Sequence, residues 1–226
     1  MKIKSITDIG VKRKDNQDNY WSALFTIDTV EYGVLCLCDG MGGLKNGALA
    51  SRIVVEAIRD SIKAGFSFED LKLVIEKANK DILSVGRESG RMGTTCTLVL
   101  CSEGKYRIWH VGDSRCYVFA GGKLQQLTTD HSALQKYGIT REENPDLWNK
   151  YKNTLTKCIG VNPTIELDYY EGDYSCDSVF FVCSDGMWHS ISKKIDKDSL
   201  LDLNGLVELC KSLGETDNIT ASLLIV

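Results

Sequence analysis

Val34–Gly43 reads VLCLCDGMGG. Its first five residues are apolar without a break, the pattern of a strand buried on both faces. The run stops at Asp39, and an acid at the mouth of a buried strand is costly unless something cationic meets it. Gly40, Gly42 and Gly43 follow, and glycine lets a backbone turn sharply and bring its own carbonyls close to a ligand. An Asp-Gly turn in an ordinary hairpin has the same local signature. Alone, the stretch leaves turn and ligand equally open. The recurrence of the same device elsewhere decides between them.

Three further acids share the placement of Asp39. Asp113 follows the apolar run Ile108–Gly112, Asp185 follows Val179–Ser184 and precedes Gly186, and Asp217 stands just before TASLLIV at the end of the chain. Each lies within a few residues of a strand end, where neighbouring strands can bring acids together. Carboxylates gathered without matching bases repel and raise one another's pKa. Oxygen-seeking divalent cations, Mg²⁺ or Mn²⁺, relieve that repulsion. The three histidines show no ligand spacing; His110 reads as a strand residue and His131 as a loop residue near the site. Arg13 lies in the polar loop VKRKDNQDNY, which can reach the same mouth. A lone arginine is usually a solvated surface charge. Beside a metal cluster it becomes a clamp for phosphate, whose edge a guanidinium matches bidentately.

Outward from this core the period alternates. Lys4–Gly10 reads as an edge strand and Trp21–Phe25 as a second strand. Helices are predicted near Gly47–Ala64 and Phe68–Arg87, with apolar stripes through Ala50, Val54 and Ile58 and through Leu71, Ile75, Ile82 and Val85. They should lie side by side on a sheet. Strands follow at Thr94–Leu100, Tyr106–Val111, Cys116–Phe119 and Lys123–Leu127, the last pair joined by a Gly121-Gly122 hairpin. Asp130–Leu155 is polar, weakly periodic and carries Pro145, and reads as a partly helical insertion. Strands at Ile165–Tyr170, Val179–Cys183 and Ala221–Val226 surround a helix at Leu200–Leu213. Many strands, with helices arriving in pairs, make the α+β pattern rather than a doubly wound sheet.

A chain of 226 residues with 43% hydrophobic residues suits one domain over 1–226. A net charge of −4 gives no reason to expect nucleic acid or a membrane surface as partner. No apolar run approaches a bilayer span and the N-terminus lacks a signal-peptide core, so the expected location is the cytoplasm. The nine cysteines include no C-x-x-C. Nearly all of them read as small core hydrophobes, Cys36, Cys38, Cys96, Cys101 and Cys183 among them, rather than as disulfides or a zinc site.

The motifs together resemble the metal-dependent protein phosphatases (PPM, or type 2C). R-x-x-N-Q-D at Arg13–Asp18, DGMGG at Asp39–Gly43, GTT at Gly93–Thr95 and GDSR at Gly112–Arg115 come in family order. So do TxDHS at Thr128–Ser132, LTKCIG at Leu155–Gly160, SDG at Ser184–Gly186 and DNIT at Asp217–Thr220. The resemblance implies a four-layer α-β-β-α sandwich, two antiparallel sheets flanked by helix pairs, with metals in a cleft at one end. It implies hydrolysis of phosphoserine and phosphothreonine in proteins, opposing a cognate Ser/Thr kinase, by a monomeric enzyme. By family pattern Asp39 bridges two Mn²⁺ or Mg²⁺ ions, the Gly40 carbonyl holds the second, and Asp185 and Asp217 complete the first. Asp18 acts through water, Arg13 holds the substrate phosphate, and Asp113 serves a third, weaker metal. Asp130–Leu155 corresponds to the family's flap. The implied mechanism is direct attack by a metal-bridging hydroxide without a phosphoenzyme. Two residues depart from the pattern. Gln17 stands where many members carry Glu, and Met41 where eukaryotic members often carry a histidine proposed as general acid, so no side-chain acid is assigned. A non-catalytic member that only binds phosphorylated partners would have no need of so many acids.

Overall fold

The computed structural model describes residues 1–41, 46–65, 67–190 and 195–226, so Gly42 and Gly43 of the opening stretch lie outside the described residues. In chain order the elements begin β1 (Lys2–Asp8), β2 (Asp18–Ile27), β3 (Val30–Asp39), α1 (Gly47–Lys63) and α2 (Phe68–Ser89). Then come β4 (Cys96–Ser102), β5 (Lys105–Val111), β6 (Arg115–Ala120), β7 (Lys123–Gln126), α3 (Ala133–Tyr137) and α4 (Pro145–Tyr151). The chain closes with β8 (Asp168–Asp173), β9 (Val179–Cys183), α5 (Asp185–Trp188), α6 (Lys197–Leu201), α7 (Leu203–Ser212) and β10 (Ile219–Ile225).

The strands form two five-stranded sheets, ordered β2-β3-β4-β5-β8 and β1-β10-β9-β6-β7. Every pairing is antiparallel. The period-2 alternation of β3 shows how the layers stack. Leu35 and Leu37 face inward, where with Val99 and Ile108 they meet Phe180, Val182 and Leu224 of the other sheet. Val34, Cys36 and Cys38 face outward onto α1 and α2, packing with Val54, Ile58, Leu71 and Ile75. The second sheet repeats this through β9, where Phe181 and Cys183 face Leu206, Val207 and Cys210 of α7. Val34–Cys38 of β3 and the whole of β9 are thus covered on two faces, which is why these stretches are unbroken apolar runs. The result is the four-layer α-β-β-α sandwich.

Some boundaries differ from the sequence expectation. The helix expected over Leu200–Leu213 is broken in two, because the Asp202 side chain turns back to accept from Gly205 N (3.1 Å) and caps α7. The strand expected over Ile165–Tyr170 runs Asp168–Asp173, set by its pairing with β5. Val85 is 38% exposed and falls outside the buried stripe of α2. The hairpin between β6 and β7 turns on Gly121 and Gly122, both at positive φ (56° and 76°), the pair a type I′ turn requires. Asp130–Leu155 contains α3 and α4, and its base is pinned by Ala133 N to Thr154 O (2.8 Å) and Thr156 N to His131 O (2.7 Å). Among the described residues no helix is long and apolar enough to cross a membrane.

Candidate active site

Strand ends of both sheets meet at one edge of the sandwich. Asp39 is the last residue of β3 and lies directly opposite Asp18, the first residue of β2. Asp113 occupies the turn from β5 to β6, Asp185 opens α5 after β9, and Asp217 precedes β10. Arg13, Asp39, Gly40, Asp113, Asp185 and Asp217 line a cavity of about 210 Å³, together with Met41, Thr95, Asn153 and Leu155. Of the seven expected site residues only Asp18 does not line it; Asp18 is buried, 7% exposed.

The motif residues without a role of their own in the sequence reading hold these acids in place. The end of β3 is gripped by the GTT segment: Thr95 N and Thr94 Oγ1 both donate to Asp39 O (2.9 and 2.8 Å), and Asp39 N donates to Thr95 Oγ1 (2.9 Å). Gly40 is required by close approach. A Cβ there would stand 2.4 Å from Gly47 O and 2.6 Å from Gln17 O, both backbone atoms. The Gly112–Asp113 turn is set by Gly112 N donating to His131 Nδ1 (3.1 Å), while His131 Nε2 lies 3.1 Å from Asp168 Oδ2. Trp188 Nε1 donates to Asp113 O (2.9 Å), and its ring lies under the Arg115 guanidinium at 3.4 Å. Arg115 in turn holds buried Asp130 through three hydrogen bonds of 2.7–3.0 Å. Asn218 ties the Arg13 loop to β10, accepting from Gln17 N (2.9 Å) and donating to Ile9 O and Asp15 O.

Charge is badly balanced here. Burial, and then the neighbouring Asp18, Asp185, Asp113 and Asp217, push the Asp39 carboxyl well above its ordinary range. Burial pushes Asp18 up to about 7, with Asp185 and Asp217 adding to it. Asp113 and Asp185 are raised for the same first reason. Arg13 is the cation among them. Its Nη2 donates to Asp217 Oδ2 at 2.5 Å, and that bond above all raises the guanidinium pKa. The expected phosphate clamp is thus engaged with a carboxylate, at the wall of the same cavity.

Among the described residues, both Asp18 oxygens and Asp185 Oδ1 are buried with no hydrogen-bond partner. Buried acceptors of this kind are rarely left unpaired, and an all-oxygen set with unspent lone pairs fits a hard divalent cation. The carboxylates surround a cavity rather than close a cage. Among the described residues the only trio of ligand atoms within 4.8 Å of one another is Cys36, Cys38 and Cys96. Those thiols sit fully buried in the apolar layer under α1 and α2, without the fourth ligand that structural zinc takes. Hard cations tolerate an open set of acids because they keep several waters. Leu155 opens the LTKCIG motif, but nothing in the sequence marks Asn153. The return of the insertion along His131 and Ser132 brings both to the cleft.

A two-sheet sandwich that gathers acids and an arginine at one end is the arrangement that a metal-dependent phosphate-ester hydrolase requires. Residues 11–219 match the family described as protein phosphatase 2C, and the chain belongs to that family. It is similar to the serine/threonine phosphatase stp of Listeria welshimeri, 30% identical over 237 residues, covering 96% of this chain and 93% of the relative. Protein phosphatase PhpP of Streptococcus pneumoniae is 27% identical over 250 residues, covering 99% and 97%. The crystal structure of the serine/threonine phosphatase Stp1 from Staphylococcus aureus aligns with a TM-score of 0.84 at 27% identity, covering 99% of this chain and 94% of that one. Metal dependence is general in the family.

Proposed function

We propose that the chain removes phosphate from phosphoserine and phosphothreonine in proteins, by direct hydrolysis at the acidic cleft, and that it opposes a Ser/Thr kinase. The similarity to named serine/threonine phosphatases along nearly the whole chain supports the reaction. The observation that carries the mechanism is the set of unpartnered, buried carboxylate oxygens beside a cavity that also holds Arg13. Asp39, Asp185 and Asp217 would hold the divalent cations, Mn²⁺ or Mg²⁺, with the Gly40 carbonyl; Asp18 stands behind them and Asp113 at a further, weaker position. Cations so held supply Lewis acidity and lower the pKa of a neighbouring water toward neutral. Arg13 would take two phosphoryl oxygens with its fork, neutralising charge that spreads over them in the transition state. Thr94 and Thr95 hold the Asp39 backbone, which sets where its carboxylate leaves the strand end. Asn153 and Leu155 wall the cleft on the insertion side and limit water. The protein acts as a cytoplasmic monomer in this reading.

The test is hydrolysis of a phosphothreonine peptide and of p-nitrophenyl phosphate by purified protein with Mn²⁺. Activity should vanish with EDTA and in Asp39→Asn, with the circular dichroism spectrum of that variant unchanged. Turnover that survives in EDTA or in Asp39→Asn would remove the metal-centred reading. Arg13→Ala should raise KM, since it deletes a contact made before and during reaction.

A further inference from the structure

Beside the acidic cleft lies a second cavity of about 160 Å³. It shares Arg13, Asn153 and Asp217 with the first. Its other walls include Lys12 from the N-terminal loop, Lys152 from the end of α4, and His189 and Glu215. The acids of this wall are already engaged. Asp217 holds Arg13, and Glu215 Oε1 accepts from the backbone N–H groups of Thr216 (2.6 Å) and Asp217 (3.0 Å). The two lysines are not. Among the described residues neither Lys12 nor Lys152 makes an ion pair, and Lys152 has only the Trp148 ring, 5.3 Å from its Nζ. His189 is the second, independent sign of a ligand. Its side chain is 5% exposed and its Nδ1 lies 3.5 Å from Glu215 Oε2, yet among the described residues Nε2 has no hydrogen-bond partner. A buried imidazole nitrogen left free on a cavity wall that also carries two unpaired ammonium groups donates to an anion when it holds the ring proton.

Unpaired surface lysines are ordinarily just solvated, and one lysine here would mean nothing. These two come from the N-terminal loop and the insertion, and they converge on a cavity that shares its arginine with the phosphate site. Resting on the phosphatase reading, we propose that this cavity is a substrate subsite for a second anionic group, a carboxylate or a phosphate, carried near the phosphoresidue and held by Lys12 and Lys152. An extended peptide advances roughly 3.3–3.6 Å per residue, so with the two cavities sharing walls the second anion comes from a position close to the reacting residue. Placing it there gives the insertion a part in substrate choice.

The experiment uses the full chain with Mn²⁺ and three matched sets of phosphothreonine peptides: neutral flanks, Glu at each position within three residues, and phosphoserine at the same positions. p-Nitrophenyl phosphate, which has no flank, is the control. Wild type should favour the best-placed acidic peptide over the neutral one by on the order of tenfold in kcat/KM, mainly through KM, and the preference should shrink with added salt. Lys12→Ala/Lys152→Ala should lose the preference while cleaving p-nitrophenyl phosphate and the neutral peptide as wild type does. The Glu and phosphoserine sets show which anion is preferred. Equal turnover of acidic and neutral peptides by wild type, or a preference retained in the double variant, overturns the subsite alone. No turnover of any substrate overturns the phosphatase reading and the subsite with it.

Discussion

At the scale of single residues, the acids that would do chemistry depend on others that do none. Arg115 shows it best. It is mostly buried, it holds Asp130 (side chain 5% exposed) through three hydrogen bonds, and it stacks on the Trp188 ring that anchors Asp113. Truncating one partner of such a pair leaves the other charge buried and uncompensated, which costs about 3–5 kcal/mol. Arg115→Ala should therefore lower unfolding free energy by about that amount in urea titration; a loss under about 1 kcal/mol would mean Asp130 finds water instead. Gly40 makes a different demand. A methyl group there meets two backbone carbonyls, which cannot rotate away as a side chain can. Gly40→Ala should cost about 1–3 kcal/mol by overpacking, and should weaken Mn²⁺ binding by calorimetry because Asp39 is displaced with it. Unchanged Mn²⁺ affinity in a folded Gly40→Ala would separate the backbone at 40 from the site.

At the scale of elements, what was legible in the sequence follows from what each element needs. β9 and the Val34–Cys38 half of β3 announce themselves, because a stretch of strand covered on both faces is apolar at successive positions. The paired helices announce themselves through their stripes, whereas the cap at the start of α2 is seen only in the structure. Ser67 Oγ accepts from Asp70 N (3.3 Å) and the Asp70 side chain accepts from Ser67 N (3.1 Å), a capping box in which Asp fills the usual Glu position. Ser67→Ala should cost about 1 kcal/mol, read as a fall in thermal midpoint with the fold unchanged. The break at Asp202 was hidden, because leucines continue across it and only the side-chain cap interrupts the helix. The shift of β8 was hidden too. Its residues alternate half-buried with exposed, a weak period, and its register is imposed by β5. In the site, acids at strand ends could be read one by one. The grip of Thr94 and Thr95 on Asp39, the Arg115–Trp188 stack and the place of Asn153 at the cavity wall could not, since each joins residues far apart in the chain.

At the scale of the whole molecule, the cluster makes stability depend on pH and on cations together. A group whose folded pKa is raised contributes stability that is full below its unfolded value and is lost as pH rises through the folded one. For Asp18, raised chiefly by burial, that window runs from 3.8 to about 7. Two buried histidines act in the opposite sense. His110, held down to about 3 by burial and then by His131, destabilises the fold as pH falls below 6.5, and His131 is lowered likewise. The total curve therefore mixes both signs, and the comparison that isolates the acids is wild type against Asp18→Asn. In EDTA the variant should gain thermal midpoint relative to wild type progressively from about pH 4 to about pH 7, because it carries no charge to bury, while the histidine contribution cancels. Adding Mn²⁺ at pH 7 should reverse the order, raising wild type more than the variant, since a bound cation takes over the neutralisation that protons provide at low pH. A difference that stays flat across that range, or a variant that gains as much from Mn²⁺ as wild type does, would mean that Asp18 is not part of the cation's surroundings and that its buried oxygens are met in some other way.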